Sequence, residues 1–124
     1  MGYTTNFRGY FKLDRKLTDE LYNDLIILHN TRHDNDDFCP SIWCDWKPTE
    51  DRMAIVWDHA EKFYEYENWI RYIIKQYLEP NNYKLHGRVL FQGERIDDCG
   101  YINIKDNVVT IEKIDIPDDY ISGI

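Results

Sequence analysis

Apolar and polar residues alternate over the first thirteen positions of the chain. One face of this segment is largely apolar and the other largely polar; the first carries Tyr3, Thr5, Phe7, Gly9, Phe11 and Leu13, and the second Thr4, Asn6, Arg8, Tyr10 and Lys12. A period of two residues predicts a half-buried β-strand over 3–13. Gly9 interrupts the apolar face, which predicts either a β-bulge or a close approach of another group to the backbone.

Two later segments have the period of amphipathic helices. A helix is predicted over 18–31, because Thr18 is a good N-cap, two acids follow it, and leucines recur at helical spacing. A second and more regular helix is predicted over 66–78, where apolar residues return every third or fourth position until Pro80 ends the pattern.

Alternating runs separated by turn residues predict the remaining strands. Runs at 42–46 and 53–57 flank a polar turn and predict a central hairpin. In the final third, a strand at 83–92 is followed by a second hairpin formed by 101–105 and 108–113, whose two turn residues accept positive φ values.

These elements occur in the order β-α-β-β-α-β-β-β. The first six match the ferredoxin-like βαββαβ pattern, in which two helices cover one face of an antiparallel sheet. The predicted fold class is therefore α+β, with a ferredoxin-like unit whose sheet is extended by a C-terminal β-hairpin. The length fits a single domain, predicted over 1–116, followed by an acidic and flexible tail at 117–124.

Composition narrows the classes of partner. The chain has 124 residues, a formal net charge of −8 and an aromatic content of 15%. Phosphate backbones and anionic membranes repel such a chain, so direct nucleic-acid binding and membrane association are not expected, whereas a protein partner is. No apolar stretch is long enough to span a bilayer and no secretion signal is recognisable, so a cytoplasmic location and reduced cysteines are expected.

Known catalytic signatures are missing from the sequence, which contains no nucleophile elbow, phosphate-binding loop or dinucleotide fingerprint. The nearest approach to a metal site is the group His29, His33, Cys39 and Cys44. A helix would place the two histidines on one face, yet their spacing to the cysteines matches no zinc pattern. The sequence therefore predicts no catalytic residue, metal or cofactor, and it favours a protein that is not an enzyme.

The connector between the central hairpin and the second helix concentrates ionisable side chains: Asp58, Glu61 and Lys62, with Tyr64 beside them. Connectors of this kind project groups from a rigid frame and could form an acid–base cluster. The alternative is structural, in that the acids satisfy backbone N–H groups ahead of the helix. Charged loop residues alone do not define a catalytic site, so we favour the structural interpretation and keep these residues as candidates for binding.

Three tryptophans, Trp43, Trp46 and Trp57, belong to the predicted central hairpin. Alternation places Trp43 and Trp46 on opposite faces, so at least one of them should point away from the helices. An exposed tryptophan on a sheet is a typical binding anchor unless a loop covers it. These tryptophans and the connector residues together form the predicted binding site.

Five motifs spread over most of the chain are distinctive in combination. They are Gly2-Tyr3-Thr4-Thr5 with Phe7 and Gly9, Trp43-x-x-Trp46-x-Pro48-Thr49-Glu50-Asp51, Trp57-Asp58, Glu61-Lys62-Phe63-Tyr64-x-Tyr66, and Lys105-Asp106-Asn107-Val108-Val109. In these motifs the chain resembles a family of small, uncharacterised proteins of bacteria and their phages. The resemblance implies a phage or mobile-element origin and no particular chemistry, since no activity is assigned to that family.

Three functions are compatible with these observations. The leading hypothesis is a non-enzymatic binding protein, such as a phage-encoded accessory factor that engages a host protein. The alternative is a small-molecule or nucleotide-binding protein, or an enzyme, that uses the 58–64 connector; its candidate cations are Arg8, Lys62, Arg71 and Arg88. The third is an acidic mimic of nucleic acid, which would need its carboxylates in one contiguous stripe.

Overall fold

Six antiparallel strands form one sheet in the computed structural model, which describes residues 2–34 and 38–117. In chain order the elements are β1 (Asn6–Leu13), α1 (Asp19–Asn30), β2 (Trp46–Pro48), β3 (Ala54–Trp57), α2 (Tyr66–Ile73), β4 (Leu85–Gln92), β5 (Cys99–Lys105) and β6 (Val108–Lys113). The strands lie in the order β2-β3-β1-β4-β5-β6. Both helices bury their apolar faces in one core against one face of the sheet, and we call the opposite face the open face.

The alternation predicted for the first segment appears in β1. Phe7 and Phe11 point into the core, whereas Arg8, Tyr10 and Lys12 are exposed on the open face. β1 pairs with β4 along its whole length but with β3 at two positions near its C-terminal end. Within the described strands, the N-terminal half of β1 therefore has no ladder partner on its β3 side.

Gly9 marks a close approach of two strands rather than a bulge. The register between β1 and β4 is continuous across it, which excludes the bulge. Its φ is +109°, and a Cβ atom at this position would lie 2.9 Å from the carbonyl oxygen of Arg88. Both the backbone conformation and the lack of space favour glycine.

The first helix begins and ends where the sequence predicts. The Oγ1 atom of Thr18 accepts a hydrogen bond from the backbone N–H of Leu21 at 3.2 Å, so the predicted N-cap is confirmed. Leu21, Leu25 and Leu28 are buried, and α1 ends at Asn30.

The second helix is present but changes geometry along its length. α2 continues beyond Ile73 as a π-helical turn over Ile74–Leu78 and closes with a 3₁₀ turn over Glu79–Asn81. Asn82 then takes a left-handed conformation with φ of 61°. The apolar pattern predicts the extent of this segment but not its wider turn, because the buried positions face the core in either geometry.

The central hairpin is shorter than predicted. β2 begins at Trp46 rather than at position 42, and Trp46 lies opposite Trp57. Pro48 is tolerated because β2 is an edge strand, whose outer backbone groups need no ladder partner. Residues 42–45 form a loop instead.

The coarse prediction of an α+β fold is confirmed by the six-stranded antiparallel sheet and two helices of the described residues. The specific ferredoxin-like topology is not confirmed. The C-terminal hairpin does extend the sheet as predicted, since β4 pairs with β5 and β5 pairs with β6. The last hairpin turns through Asp106 and Asn107, at φ of 48° and 70°, which suits a tight turn. The tail predicted at 117–124 lies outside the described residues except for Pro117.

Aromatic rings fill the centre of the core around Trp46. Its indole packs edge-on against Phe7 and Phe63, at centroid distances of 5.2 and 5.3 Å. Its Nε1 donates a hydrogen bond to the carbonyl oxygen of Tyr66 at 2.9 Å. Trp57 packs on the same Phe7 ring at 5.2 Å. Trp46 thereby joins β1, β2 and the start of α2.

Replacing Gly9 with alanine should destabilise the fold by about 2 kcal/mol or more, because the new Cβ would meet a backbone oxygen at a residue with positive φ. Asn6→Ala, at an exposed position of the same strand, is the matched control and should change the free energy of unfolding by less than about 0.5 kcal/mol. Urea unfolding followed by circular dichroism measures both. Equal midpoints for the two variants would contradict the role assigned to Gly9.

Trp46→Ala should cost about 3–5 kcal/mol, because it removes a fully buried indole and leaves the Tyr66 carbonyl without its partner. Trp43→Ala removes the same side chain from a position that is 45% exposed, and should cost less than about 1 kcal/mol. Thermal unfolding of the two variants side by side tests this difference. A Trp46→Ala protein as stable as Trp43→Ala would show that the Trp46 indole does not hold β1, β2 and the start of α2 together.

Candidate functional site

A cavity of about 600 Å³ lies between the loop that precedes β2 and the connector between β3 and α2. Its lining residues are Ser41, Ile42, Trp43, Asp45, Ala60, Glu61, Lys62 and Tyr64. We call it the Trp43 cavity. Its size falls within the range of pockets that take small organic groups, roughly 300–1,000 Å³. Trp43, Glu61, Lys62 and Tyr64 are predicted site residues that the fold brings together here.

The predicted site residues Trp46 and Trp57 lie outside the cavity wall. They are 1% and 8% exposed and belong to the core. The Nε1 atom of Trp57 donates a hydrogen bond to the carbonyl oxygen of Ala60 at 3.2 Å, and that of Trp46 bonds to Tyr66. The two indoles therefore hold the connector near both of its ends and support the cavity without facing it.

Asp58, the remaining predicted site residue, fixes the start of the connector. Its Oδ1 accepts a hydrogen bond from the backbone N–H of Ala60 at 2.8 Å, and its Oδ2 lies 2.7 Å from Nε2 of His29. Its backbone N–H donates to the carbonyl oxygen of Asp45 at 3.0 Å. These bonds give Asp58 the structural role that the sequence favours for the connector acids.

The connector contains three residues other than glycine in the left-handed region. His59, Lys62 and Glu65 have φ values of 69°, 62° and 58°. Each such residue costs on the order of 1 kcal/mol, and the conformation persists only where surrounding contacts determine it. The connector is therefore held in a defined conformation by its bonds to the core.

Ser41 ties the two loops of the cavity together. Its Oγ accepts a hydrogen bond from Nε1 of Trp69 at 2.7 Å and donates one to the carbonyl oxygen of Tyr64 at 3.2 Å. The hydroxyl of Tyr64 in turn accepts a hydrogen bond from the backbone N–H of Tyr3 at 3.2 Å. Trp43 and Tyr64 nevertheless remain 45% and 49% exposed. The cavity thus presents exposed rings on a fixed backbone.

Three ionisable side chains set the charge of the cavity. Glu61 and Lys62 are exposed, whereas Asp45 is buried. Burial and, to a smaller extent, the Asp58 carboxylate raise the pKa of Asp45 to about 7, while His29 acts in the opposite direction. Near neutral pH, Asp45 can therefore either donate or accept a hydrogen bond at the cavity wall.

The four residues considered as a metal site have other partners. His29 bonds to Asp58, and His33 has Nε2 at 3.0 Å from the carbonyl oxygen of Leu28 and Nδ1 at 3.6 Å from Sγ of Cys39. Burial raises the pKa of the Cys44 thiol to about 12, which keeps it protonated and unreactive. Within residues 2–34 and 38–117, no group of three His, Cys, Asp or Glu side chains could hold a metal ion.

Sequence reasoning missed Ser41, Ile42 and Asp45 as lining residues. Asp45 could have been identified from alternation, which places it on the same face as the predicted site residue Trp43. The burial of Asp45 depends on Asp58 and on the connector, which are distant in sequence, so no local pattern reveals it.

Asp45→Asn should stabilise the protein most at high pH. Because the pKa of Asp45 is about 7 when folded against an ordinary 3.8, the folded state keeps a proton that the unfolded state releases in this window. Stability therefore falls as pH rises from about 4 to about 7, by ~1.4 kcal/mol for each pKa unit of the gap. Asparagine keeps the shape without ionising, so its advantage should be absent near pH 4 and largest above about pH 7.

Urea unfolding of the wild type and Asp45→Asn at about pH 4, 6 and 8 measures this effect. Glu61→Gln, which removes an exposed carboxylate from the same cavity, is the control. Its free energy of unfolding should differ from that of the wild type by nearly the same amount at each pH. A stability difference for Asp45→Asn that stays constant from acid to alkaline pH would contradict the raised pKa.

Comparison with known proteins finds no family model, no curated protein and no solved structure that matches this chain. No helix of the described residues is long and apolar enough to cross a membrane.

Proposed function

We propose that this protein is a non-enzymatic binding protein whose Trp43 cavity receives a large apolar side chain of a protein partner. The observation that carries the proposal is the exposure of Ile42, Trp43 and Tyr64 around one cavity of about 600 Å³. Residues that dominate binding at protein interfaces are enriched in Trp and Tyr and sit beside pockets. The same site would suit a phage-encoded accessory factor that engages a host protein in the cytoplasm.

The fixed backbone of the cavity supports this function. Ser41 and Asp58 anchor the two loops through hydrogen bonds, and the left-handed residues of the connector leave it few alternative conformations. A surface that is ordered before binding loses less conformational entropy when the partner arrives. An anchor residue on the partner would therefore meet walls that need little rearrangement.

Charge around the cavity indicates the kind of partner segment. Asp45 and Glu61 line the cavity with one cation, Lys62, and the whole chain has a net charge of −8. An apolar residue flanked by Lys or Arg would complement this charge. We therefore propose a basic partner segment with one aromatic or long aliphatic anchor.

A small-molecule ligand is the second candidate, because Asp45 has a pKa of about 7 in the wall of a cavity of suitable size. A nucleotide is a poorer fit to this cavity. Of the four cations considered for phosphate, Lys62 alone lines it. Arg71 pairs with Glu67 at 2.7 Å, and Arg88 lies in β4.

Peptides selected from a displayed random library against the wild-type protein should share an aromatic or long aliphatic residue next to Lys or Arg. The double variant Trp43→Ala/Tyr64→Ala should bind these peptides at least about tenfold more weakly, because it removes both ring walls. Ile27→Ala is the matched control, since Ile27 is 62% exposed on α1 and does not line the cavity. Fluorescence anisotropy of labelled peptides measures each affinity.

Thermal unfolding of both variants separates lost binding from lost folding. Peptides that bind Trp43→Ala/Tyr64→Ala as tightly as the wild type would overturn the proposal. A thermal-shift screen of small molecules tests the second candidate; a compound whose stabilisation disappears in the double variant but persists in Ile27→Ala would favour it over a protein partner.

A further inference from the structure

Charge is distributed unevenly between the sheet and the rest of the chain. The six strands, all of them described, carry six of the 15 Lys and Arg residues but one of the 23 Asp and Glu residues, Glu112. The strand register places five of these cations on the open face: Arg8, Lys12, Lys47, Arg88 and Lys105. Glu112, opposite Tyr101, lies on the same face, so the strands give the open face five cations and one carboxylate. This acidic protein therefore has a basic surface.

Two tyrosines lie among these cations. Tyr10 is 58% exposed and stands opposite Arg88 in the ladder of β1 and β4. The guanidinium of Arg88 lies over the ring of Tyr101, 3.6 Å from its centroid, and its Nη2 is 3.0 Å from Glu112. The centre of the open face thus combines an exposed ring with a flat cationic stack, both of which are surfaces on which bases stack.

A second cavity, of about 610 Å³, lies between β1 and β3 beside the open face. It forms where the two strands no longer pair, at the N-terminal half of β1. Arg8, Lys47 and His59 are its basic lining residues, and none of its lining residues carries a carboxylate. The cavity is therefore suited to an anionic group held close to Tyr10, which follows Gly9 in β1.

We propose that the open face binds single-stranded nucleic acid, with phosphates near Arg8 and Lys47 and a base stacked on Tyr10. An acidic protein segment would use the same cations but not the exposed ring and the Arg88–Tyr101 stack, so the observations favour nucleic acid. The proposal shares no residue with the Trp43 cavity and does not depend on it.

This proposal departs from the expectation drawn from the net charge of −8. Net charge describes the whole molecule, whereas contact depends on the charges within reach of the ligand. Exposed charges separated by more than the Debye length, about 10 Å at 0.1 M salt, are largely screened. Most described carboxylates lie on the helices and loops, so salt should screen their long-range repulsion more than it weakens direct contacts on the open face. Asp51 is nearer, since it lines a cavity with Tyr10 and Lys12.

Fluorescence anisotropy with a labelled oligothymidylate tests the proposal between about 50 and 200 mM salt. The wild type should bind, and the dependence of log affinity on log salt should have a slope near −0.7 for each phosphate neutralised. Arg8→Gln/Lys47→Gln should bind at least about fivefold more weakly, with a slope shallower by roughly 1.4. Tyr10→Leu should bind about tenfold more weakly with an unchanged slope, because it removes stacking and no charge.

Lys16→Gln/Lys75→Gln is the matched control, since it removes the same charge from exposed positions outside the strands. Lys12→Gln/Lys105→Gln is a second test pair on the open face if Arg8→Gln/Lys47→Gln fails to fold. Three results would overturn the proposal: no binding at low salt, equal losses for the control and test pairs, or equally strong competition by polyglutamate. The last result would identify the face as a site for acidic proteins instead.

Discussion

Trp46 stands on an edge strand of three residues, yet its ring reaches Phe7 of the central strand and its N–H reaches the carbonyl of Tyr66 at the start of α2. A buried N–H without a partner would cost about 1–3 kcal/mol, so this hydrogen bond determines where α2 begins relative to the sheet. The connector must then cover the distance from the end of β3 to that fixed point. The position of the Trp43 cavity follows from this constraint, because the connector forms one of its walls.

The connector meets this constraint with backbone conformations that its side chains disfavour. His59, Lys62 and Glu65 adopt left-handed φ values without being glycine. Hydrogen bonds made by Asp58 and Ser41 offset the resulting strain and hold the loops in place. A glycine-rich connector would adopt the same turns at lower cost but would lose the order that makes the cavity a preformed site.

Local signals in the sequence were sufficient for the local elements. The Thr18 cap and the leucine spacing predict α1, because both depend on a few neighbouring residues. The candidate site was predictable in part: alternation puts Trp43 and Trp46 on opposite faces but does not show which of the two faces is covered. Phe7 and α2, distant in sequence, decide which indole is covered. The basic open face likewise cannot be recognised until the strand boundaries are known, because the net charge does not show where the individual charges lie.

The two edges of the sheet differ in how they can meet another chain. β2 has three residues and includes Pro48, which offers no N–H, so its outer edge is a poor template for a further strand. β6 has six residues, pairs with β5 on one side, and begins at Val108, which is 64% exposed. Among residues 2–34 and 38–117, β6 has no ladder partner on its other side, so strand addition between copies would proceed there, with the charged Glu112 and Lys113 near its end opposing it.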